Sequence, residues 1–494
     1  VTKGIGEFIL AGLAAPGLGL FASWFGLDRL SKHNDVPVAE MADYCARLDP
    51  ALVGAGCESV ELLTLLQQLS IAALAATIAV PLLYWLCALV LGRSSAALAR
   101  FFPPLVRVFL FLLPLLLAAH GALVWWATWE LIEEGVMPRN WHILAIPLFL
   151  GAGLFLSAFS ILVDISRLLA IDPLGVTGVV VKPSDHPDLH ARVARLAAKL
   201  GSRPPERIVI GIEPNAFVAS MPIRLRGVEE LPAAETLYLS TTVLRVIDDA
   251  ELDALIAHEL GHFRGADLEF SRRFAPAFNS LGQAVQGVSL DDGDDAENPW
   301  LRVARLPAIG LLSLMILILG SVVHRIQRER EFAADRASLE VSKPDAVVSL
   351  LIKFAALTLQ WGDFRQGLNR LLDRGCARRN ISADYLARTR QYLARATPTD
   401  MRALLLEAHT PHPLDSHPTL AARSEAVGIS PDAQVATVLA QLRTDRPAPA
   451  ILEMIEEQVT RIDLDYVRVP GHPIKLSEET ALPPELAMPN STGA

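Results

Sequence analysis

Residues 248–262 read Asp248-Asp249-Ala250-Glu251-Leu252-Asp253-Ala254-Leu255-Ile256-Ala257-His258-Glu259-Leu260-Gly261-His262. Asp248 suits an N-cap with Glu251 three residues on, and Leu252, Leu255 and Ile256 recur at helical spacing, so the pattern predicts a helix. Residues four apart share one face of a helix, which lets His258 and His262 offer imidazole nitrogens to a single ion. Glu259 adjoins the first histidine and reaches the water such an ion would hold. Two imidazole ligands and a general-base carboxylate at this spacing are what a hydrolytic zinc site requires. A polar helix face with solvated histidines would read the same locally. A third ligand elsewhere in the chain separates the two readings.

A catalytic zinc usually keeps three protein ligands and one open position. The metzincin extension needs a glycine three residues after the second histidine and a ligand three further on. Gly265 meets the first requirement, but the ligand position holds Leu268, which cannot coordinate. Arg330-Glu331-Phe332-Ala333-Ala334-Asp335 is the better candidate, because a helix would project Glu331 and Asp335 from one face. Glu331 is the expected third ligand. Asp335 is expected to accept the ring N–H of His258 and so fix its tautomer.

The composition asks for membrane segments. Apolar residues make up 52% of the 494 positions, and the mean hydropathy of +0.35 exceeds that of an ordinary soluble domain. A formal net charge of −10 leaves no basic footprint for nucleic acid. Four apolar runs, 8–27, 69–91, 108–128 and 143–163, are each long enough to cross a hydrocarbon core of roughly 30 Å. Segment 92–107 carries Arg93, Arg100 and Arg107 without an acid, whereas 129–142 carries Glu130, Glu133 and Glu134 against Arg139. The positive-inside rule therefore places 92–107, the N-terminus and everything after Asp164 in the cytoplasm. Trp125, Trp126 and Trp129 at the outer end, with Trp141 opposite, suit an interfacial aromatic belt. The four cysteines, Cys45, Cys57, Cys87 and Cys376, form no C-x-x-C pair. Cys45 and Cys57 share one polar loop and are equally compatible with a disulfide and with two free thiols.

From about 171 the chain turns soluble in character. An amphipathic helix is expected at 187–201, with strands at Arg207–Ile212 and Thr236–Thr242 ahead of the histidine helix. The fold class read from this is α+β and predominantly helical: a multi-span membrane region over 1–170, then a zincin-like domain with a small sheet over 171–428. An edge strand of that sheet can receive an extended chain by main-chain pairing. The remainder, 429–494, holds two amphipathic stretches, about 431–444 and 449–462, and a Pro-rich unstructured end through Pro483, Pro484 and Pro489.

Together, H-E-L-G-H (258–262) and E-F-A-A-D (331–335) resemble the membrane-bound gluzincin metallopeptidases, the family of the CAAX prenyl protease and the heat-shock protease HtpX. Pro214-Asn215-Ala216-Phe217 resembles the family's P-N-A-F segment, and Asp415-Ser416-His417-Pro418 followed by Arg423 is similar to its H-P…R element. The likeness covers roughly 175–428 and leaves the N-terminal spans and the tail unexplained. It implies one zinc ion held by His258, His262 and Glu331, and peptide hydrolysis with Glu259 as base. It further implies oxyanion stabilisation by His417, bracing of the acidic residues by Arg423, and substrate pairing near Asn215, Ala216 and Phe217. Expected substrates are membrane or misfolded proteins. The expected location is a bacterial-type inner membrane, multi-pass, with the protease domain facing the cytoplasm.

One further apolar run, 306–323, lies between His262 and Glu331. A single crossing there would put the ligands on opposite sides of a core of roughly 30 Å, which metal–ligand bonds of about 2 Å cannot span. The chain must cross an even number of times between them. Either the weak segment 274–290, with Asn279, Gln283 and Gln286, pairs with 306–323 as a hairpin, or 306–323 packs in a groove without crossing. Both put the metal near the cytoplasmic membrane surface, since Glu331 would stand about 12 Å past Val323 on a continuous helix. Two other classes would carry different signatures. A non-catalytic scaffold with a structural metal would be expected to close its site with four ligands, often cysteines. A transporter would be expected to carry more intramembrane charge than His120 alone.

Overall fold

The computed structural model describes residues 2–47, 55–91, 94–168, 173–225, 230–264, 299–395, 401, 405, 418–444, 450–467 and 475–477. The chain divides into two units: Val1–Ala170 with Arg273–Val322, and Ile171–Arg272 with Val323–Ala494. The weak apolar segment at 274–290 and the Pro-rich end after 477 lie outside the described residues.

The first unit contains α1 (Thr2–Asn34), α2 (Met41–Arg47), α3 (Ala55–Leu91), α4 (Ser95–Glu133) and α5 (Trp141–Leu168). Leu66 and Ala73 of α3 pack with Ala22 of α1 and with Leu123, Ala127 and Leu131 of α4. The opposite side of α3 is just as apolar, yet Leu69, Ile78, Leu82, Leu83 and Leu89 are exposed. A helix that is apolar on its exposed face is solvated by lipid. Cys57–Leu91, Arg100–Glu133 and Ile143–Val163 are long and apolar enough to cross a membrane. The run expected at 8–27 lies within α1. Inside the bundle the Thr77 hydroxyl stands 3.0 Å from Nε2 of the buried His120, linking α3 to α4. At the end carrying Glu133 and Glu134, Arg29 of α1 pairs with Glu134 at 3.1 Å. Leu27, Met41, Val60 and Leu63 form a small core near that end of α1. Cys45 and Cys57 are joined there as a disulfide, their Cα atoms 5.5 Å apart. Trp125 donates its indole N–H to the Leu148 carbonyl and Trp126 to Glu130. The Trp141 side chain lies outside the described residues.

The second unit holds a four-stranded sheet. Its strands are β2 (Gly178–Val181), β3 (Arg207–Gly211), β4 (Phe217–Ala219) and β7 (Thr236–Ser240), in the order β2-β3-β7-β4. β3 and β7 are parallel, with Arg207 opposite Thr236 and Gly211 opposite Ser240; the other two pairings are antiparallel. A second sheet joins β1 (Leu174–Val176), β5 (Ile223–Leu225) and β6 (Glu230–Leu231). Strand alternation sorts the four-stranded sheet cleanly. Ile208, Ile210, Leu237 and Leu239 join the large core shared with α6 (Pro187–Leu200) and α8 (Asp249–Gly261). Val209 and Tyr238 face the other way, towards Val176, Ala219 and Ile223. The strand expected over 236–242 stops at Ser240, because Thr241 and Thr242 open the short helix α7 (Thr241–Leu244).

α8 starts where the sequence predicts. Asp248 Oδ1 accepts from the N–H groups of Ala250 and Glu251, and the Glu251 carboxylate accepts from the Asp248 N–H at 2.8 Å. Glu251 is buried and also accepts from Ser349 at 2.5 Å and from Lys353 at 2.6 Å. Stripping a partner from such a buried pair costs about 3–5 kcal/mol, so the start of α8 is firmly held. Lys353 belongs to α10 (Pro344–Thr358), which follows the long helix α9 (Pro299–Leu339). The segment Pro344–Asp373 also passes as a span by length and composition. It is instead two helices, α10 and α11 (Trp361–Asp373), whose Val347, Ile352, Leu357, Phe364 and Leu368 build the core beside α8.

β8 (Cys376–Arg378), α12 (Ile381–Arg395), α13 (Leu420–Val427), α14 (Asp432–Arg443), α15 (Ala450–Val467) and β9 (Lys475–Ser477) complete the unit. The tail helices belong to the same core: α14 supplies Val435, Val438 and Leu439, and α15 supplies Ile455 and Val459. Two buried acids of α15 anchor it. Glu456 accepts from Arg245 and Asn380, and Asp463 from Arg365.

Candidate metal centre

The C-terminal part of α9 runs antiparallel to α8, and small residues let the two come close. Ser342, just past α9, donates to the Ala250 carbonyl at 2.8 Å, and one turn back Ser338 donates to that of Ala254 at 2.9 Å. Further along, Gly261 faces Ala334 and Ala337. A Cβ on Gly261 would stand 3.0 Å from the Ala334 Cα and 3.2 Å from the Ala337 Cβ, closer than side chains normally pack. This crossing carries Glu331 to the two histidines.

There His258 Nε2 lies 3.5 Å from one Glu331 oxygen, and His262 Nε2 lies 3.6 Å from the other. One ligand atom from each of the three residues falls within 4.8 Å of the others. Tetrahedral zinc with bonds near 2.0–2.1 Å separates its ligand atoms by about 3.3–3.4 Å. The two histidine–Glu331 spacings of 3.5 and 3.6 Å lie close to that value, each to a different carboxylate oxygen. Asp335 Oδ1 is 3.1 Å from Nδ1 of His258, which aims Nε2 of that ring at Glu331. Arg423, on α13, clamps Asp335 with two hydrogen bonds of 2.9 and 2.6 Å and lies 3.2 Å from Glu331.

The electrostatics differ sharply between the two rings. Burial resists protonation of His258, but hydrogen bonds to Asp335 and then to Glu331 prevail and raise its pKa to about 9. For His262, burial acts with the neighbouring charge of His258 and pushes the pKa down to about 3. Asp335 is buried, which favours its neutral form, yet the hydrogen bonds from Arg423 and His258 hold its carboxyl below the usual range. Glu259, Glu331 and Asp335 bring three carboxyl groups to a cleft that Arg330 and Arg423 also line, and a cation bound between His258, His262 and Glu331 would take the place of the proton that His258 otherwise holds.

Glu259 is buried and lines a cleft of about 600 Å³ together with His258, His262 and Glu331. One wall is the segment Asn215-Ala216-Phe217-Val218, which includes the first two residues of the edge strand β4; another is the apolar face of α10 with Leu351 and Phe354. Of the residues singled out from sequence, His258, Glu259, His262, Glu331, Asp335, Arg423, Asn215, Ala216 and Phe217 all line this cleft. His417 lies outside the described residues, although its neighbour Pro418 lines the cleft. The sequence reading missed the spacers of the helix crossing, Gly261, Ala334, Ala337, Ser338 and Ser342. Small residues four apart on a helix were the available signal.

Asp335→Asn is expected to weaken metal affinity roughly 10–100-fold, as loss of a residue that orients a candidate ligand histidine does. Gly261→Ala should act in the same direction by wedging α8 from α9. Competition against a chelating dye measures both; wild-type affinity in either variant would contradict this reading of the site.

The sequence profile of Peptidase family M48 matches residues 183–428. The chain is 32% identical over 169 residues to the "Protease HtpX homolog" of Acidiphilium cryptum, covering 34% of this chain and 55% of that protein. It is 29% identical over 180 residues to that of Gemmatimonas aurantiaca, covering 35% and 59%. With "Protease HtpX homolog 2" of Methanosarcina mazei it shares 27% over 188 residues, covering 37% and 60%. The chain thus spans a little over half the length of the curated relatives it matches. No solved structure matches it. With the motif pair on two crossed helices and apolar helices fit to span a membrane, the region 183–428 belongs to peptidase family M48, and the chain is similar there to HtpX protease homologues.

Proposed function

We propose that this chain is a zinc-dependent endopeptidase that cleaves membrane or misfolded proteins close to the bilayer. The observation that carries the reading is the convergence of His258, His262 and Glu331 beside Glu259 in one cleft walled by an edge strand. His258, His262 and Glu331 would hold one zinc ion, which when bound would supply Lewis-acid activation of a water and of the scissile carbonyl. Glu259 takes the proton of the attacking water and returns it to the departing amine. Asp335 and Arg423 keep the His258 ring oriented throughout. His417 donates to the tetrahedral oxyanion, the role its motif implies. The substrate backbone lies extended along β4, whose outer edge is unpaired among the described residues. Placement of Glu331 a few residues beyond the apolar run 306–323 favours substrate segments next to the membrane.

Glu259→Gln should lower cleavage of an unfolded protein roughly 10²–10⁴-fold, the scale of a lost general base. Its zinc content should stay near one ion per chain. Retained cleavage would overturn the assigned chemistry, and a zinc chelator should abolish activity in the unmodified chain.

We further propose a bacterial-type inner membrane as the location, with the protease unit in the cytoplasm. The arginines of 92–107 support this, as does the Cys45–Cys57 disulfide near the opposite end of the bundle, since disulfides persist in oxidising compartments. In a background where Cys87 and Cys376 are Ser, Ser184→Cys should react with an impermeant maleimide only after cells are permeabilised. Labelling in intact cells would reverse the orientation.

A further inference from the structure

Tyr238 sits on β7, buried, and holds no part of the candidate metal centre. It is nevertheless tied at two points to the segment that a substrate would pair with. Its hydroxyl accepts the backbone N–H of Glu213 at 3.1 Å and donates to the Glu213 carboxylate at 2.6 Å. Its ring lies flat against Phe217, the centroids 4.7 Å apart and the planes within 6°. The pairing register sets Phe217 directly opposite Tyr238. Gly211 leaves room for this arrangement: a Cβ there would fall 2.2 Å from the Tyr238 hydroxyl.

The tied segment is weak without such support. β4 has three residues, and it is entered through the turn Glu213-Pro214-Asn215-Ala216. Within that turn the Asn215 N–H reaches the Glu213 carbonyl at 2.7 Å, and the Ala216 N–H reaches the Asn215 side-chain oxygen at 2.9 Å. Both bonds are local, so they shape the turn without fixing it to the sheet. Beside the main-chain pairing of β4 with β7, Tyr238 adds side-chain anchorage, with the hydroxyl at the start of the turn and the ring at the first residue of the strand.

We propose that Tyr238 is the positioning residue for the substrate-pairing strand, acting through Glu213 and Phe217 and not on the reacting atoms. The proposal rests on the peptidase reading with substrate extended along β4. Its consequence is a separation of effects. Disturbing Tyr238 misaligns the strand and weakens productive binding of an extended chain, while proton transfer by Glu259 and the metal ligands are untouched.

The test uses the full chain in detergent micelles with quenched-fluorescence casein as substrate. Tyr238→Phe keeps the stack and removes the hydroxyl. It should raise KM about 10–150-fold, the range for a lost hydrogen bond to a charged group, with kcat within about twofold. Glu213→Gln keeps an acceptor for the hydroxyl and should stay within about threefold of the unmodified KM. Hydrogen–deuterium exchange of amides 213–219 should be faster in Tyr238→Phe by about fivefold or more, with zinc content unchanged. A fall in kcat at constant KM would overturn the proposal, as would unaltered exchange over 213–219. Absence of casein cleavage by the unmodified chain would contradict the peptidase reading alone, and the exchange result would still decide the role of Tyr238.

Discussion

The close antiparallel crossing of α8 and α9 sets every distance in the metal centre. The three candidate ligands come from two helices far apart in sequence, and they meet because Gly261 has no side chain where Ala334 presses. Axial register matters as much as separation. Slippage by one helical turn would carry Glu331 about 5.4 Å along the axis, more than twice a zinc–oxygen bond. The hydroxyls of Ser338 and Ser342 resist that slip by holding carbonyls one turn apart on α8. At the other end of α8, Glu251 ties the N-cap to α10 through Ser349 and Lys353. The histidine helix is therefore fixed at its start and along its flank before any ion binds.

Charge completes what packing begins. Asp335 and Glu331 would repel each other on one buried helix face without Arg423, which contacts both. The same guanidinium arrives from α13, well after the helices that carry the ligands. A variant that disturbs α13 would thus act on a bound metal through the candidate ligand Glu331 and through Asp335 and His258. Buried charged groups also explain how the tail adheres. Glu456 and Asp463 are buried on α15 and matched by Arg245 and Arg365, so α15 is part of the protease unit's core.

Much of this was legible in the sequence, and the gaps have physical causes. The histidine pair and its cap could be read because helical period decides which residues share a face, and Glu331 because it shares a face with Asp335 in a segment that, together with the histidine motif, resembles the family's second motif. The crossing could not, because Gly261, Ala334 and Ser338 are ordinary small residues until the partner helix is known. The pairing of Cys45 with Cys57 was open because separation in sequence says nothing about the Cα distance, which is 5.5 Å. Pro344–Asp373 shows the reverse hazard: its composition suits lipid, yet it fills a protein core and buries Lys353 against a matched acid. Thr241 and Thr242 read as strand by propensity, but their hydroxyls reach the carbonyls of Gly211 and Ile212 as the chain turns into α7. The Tyr238–Phe217 stack needed the strand register, which no local pattern specifies.

Whether one cation is shared by His258, His262 and Glu331 can be read directly by zinc K-edge X-ray absorption on the full chain. The account predicts two imidazoles and oxygen ligands at about 2.0–2.2 Å, with no sulfur at about 2.3 Å. It also predicts a changed oxygen shell when Glu331 is replaced by Ala. A sulfur shell, a single imidazole, or a spectrum indifferent to Glu331 would contradict it.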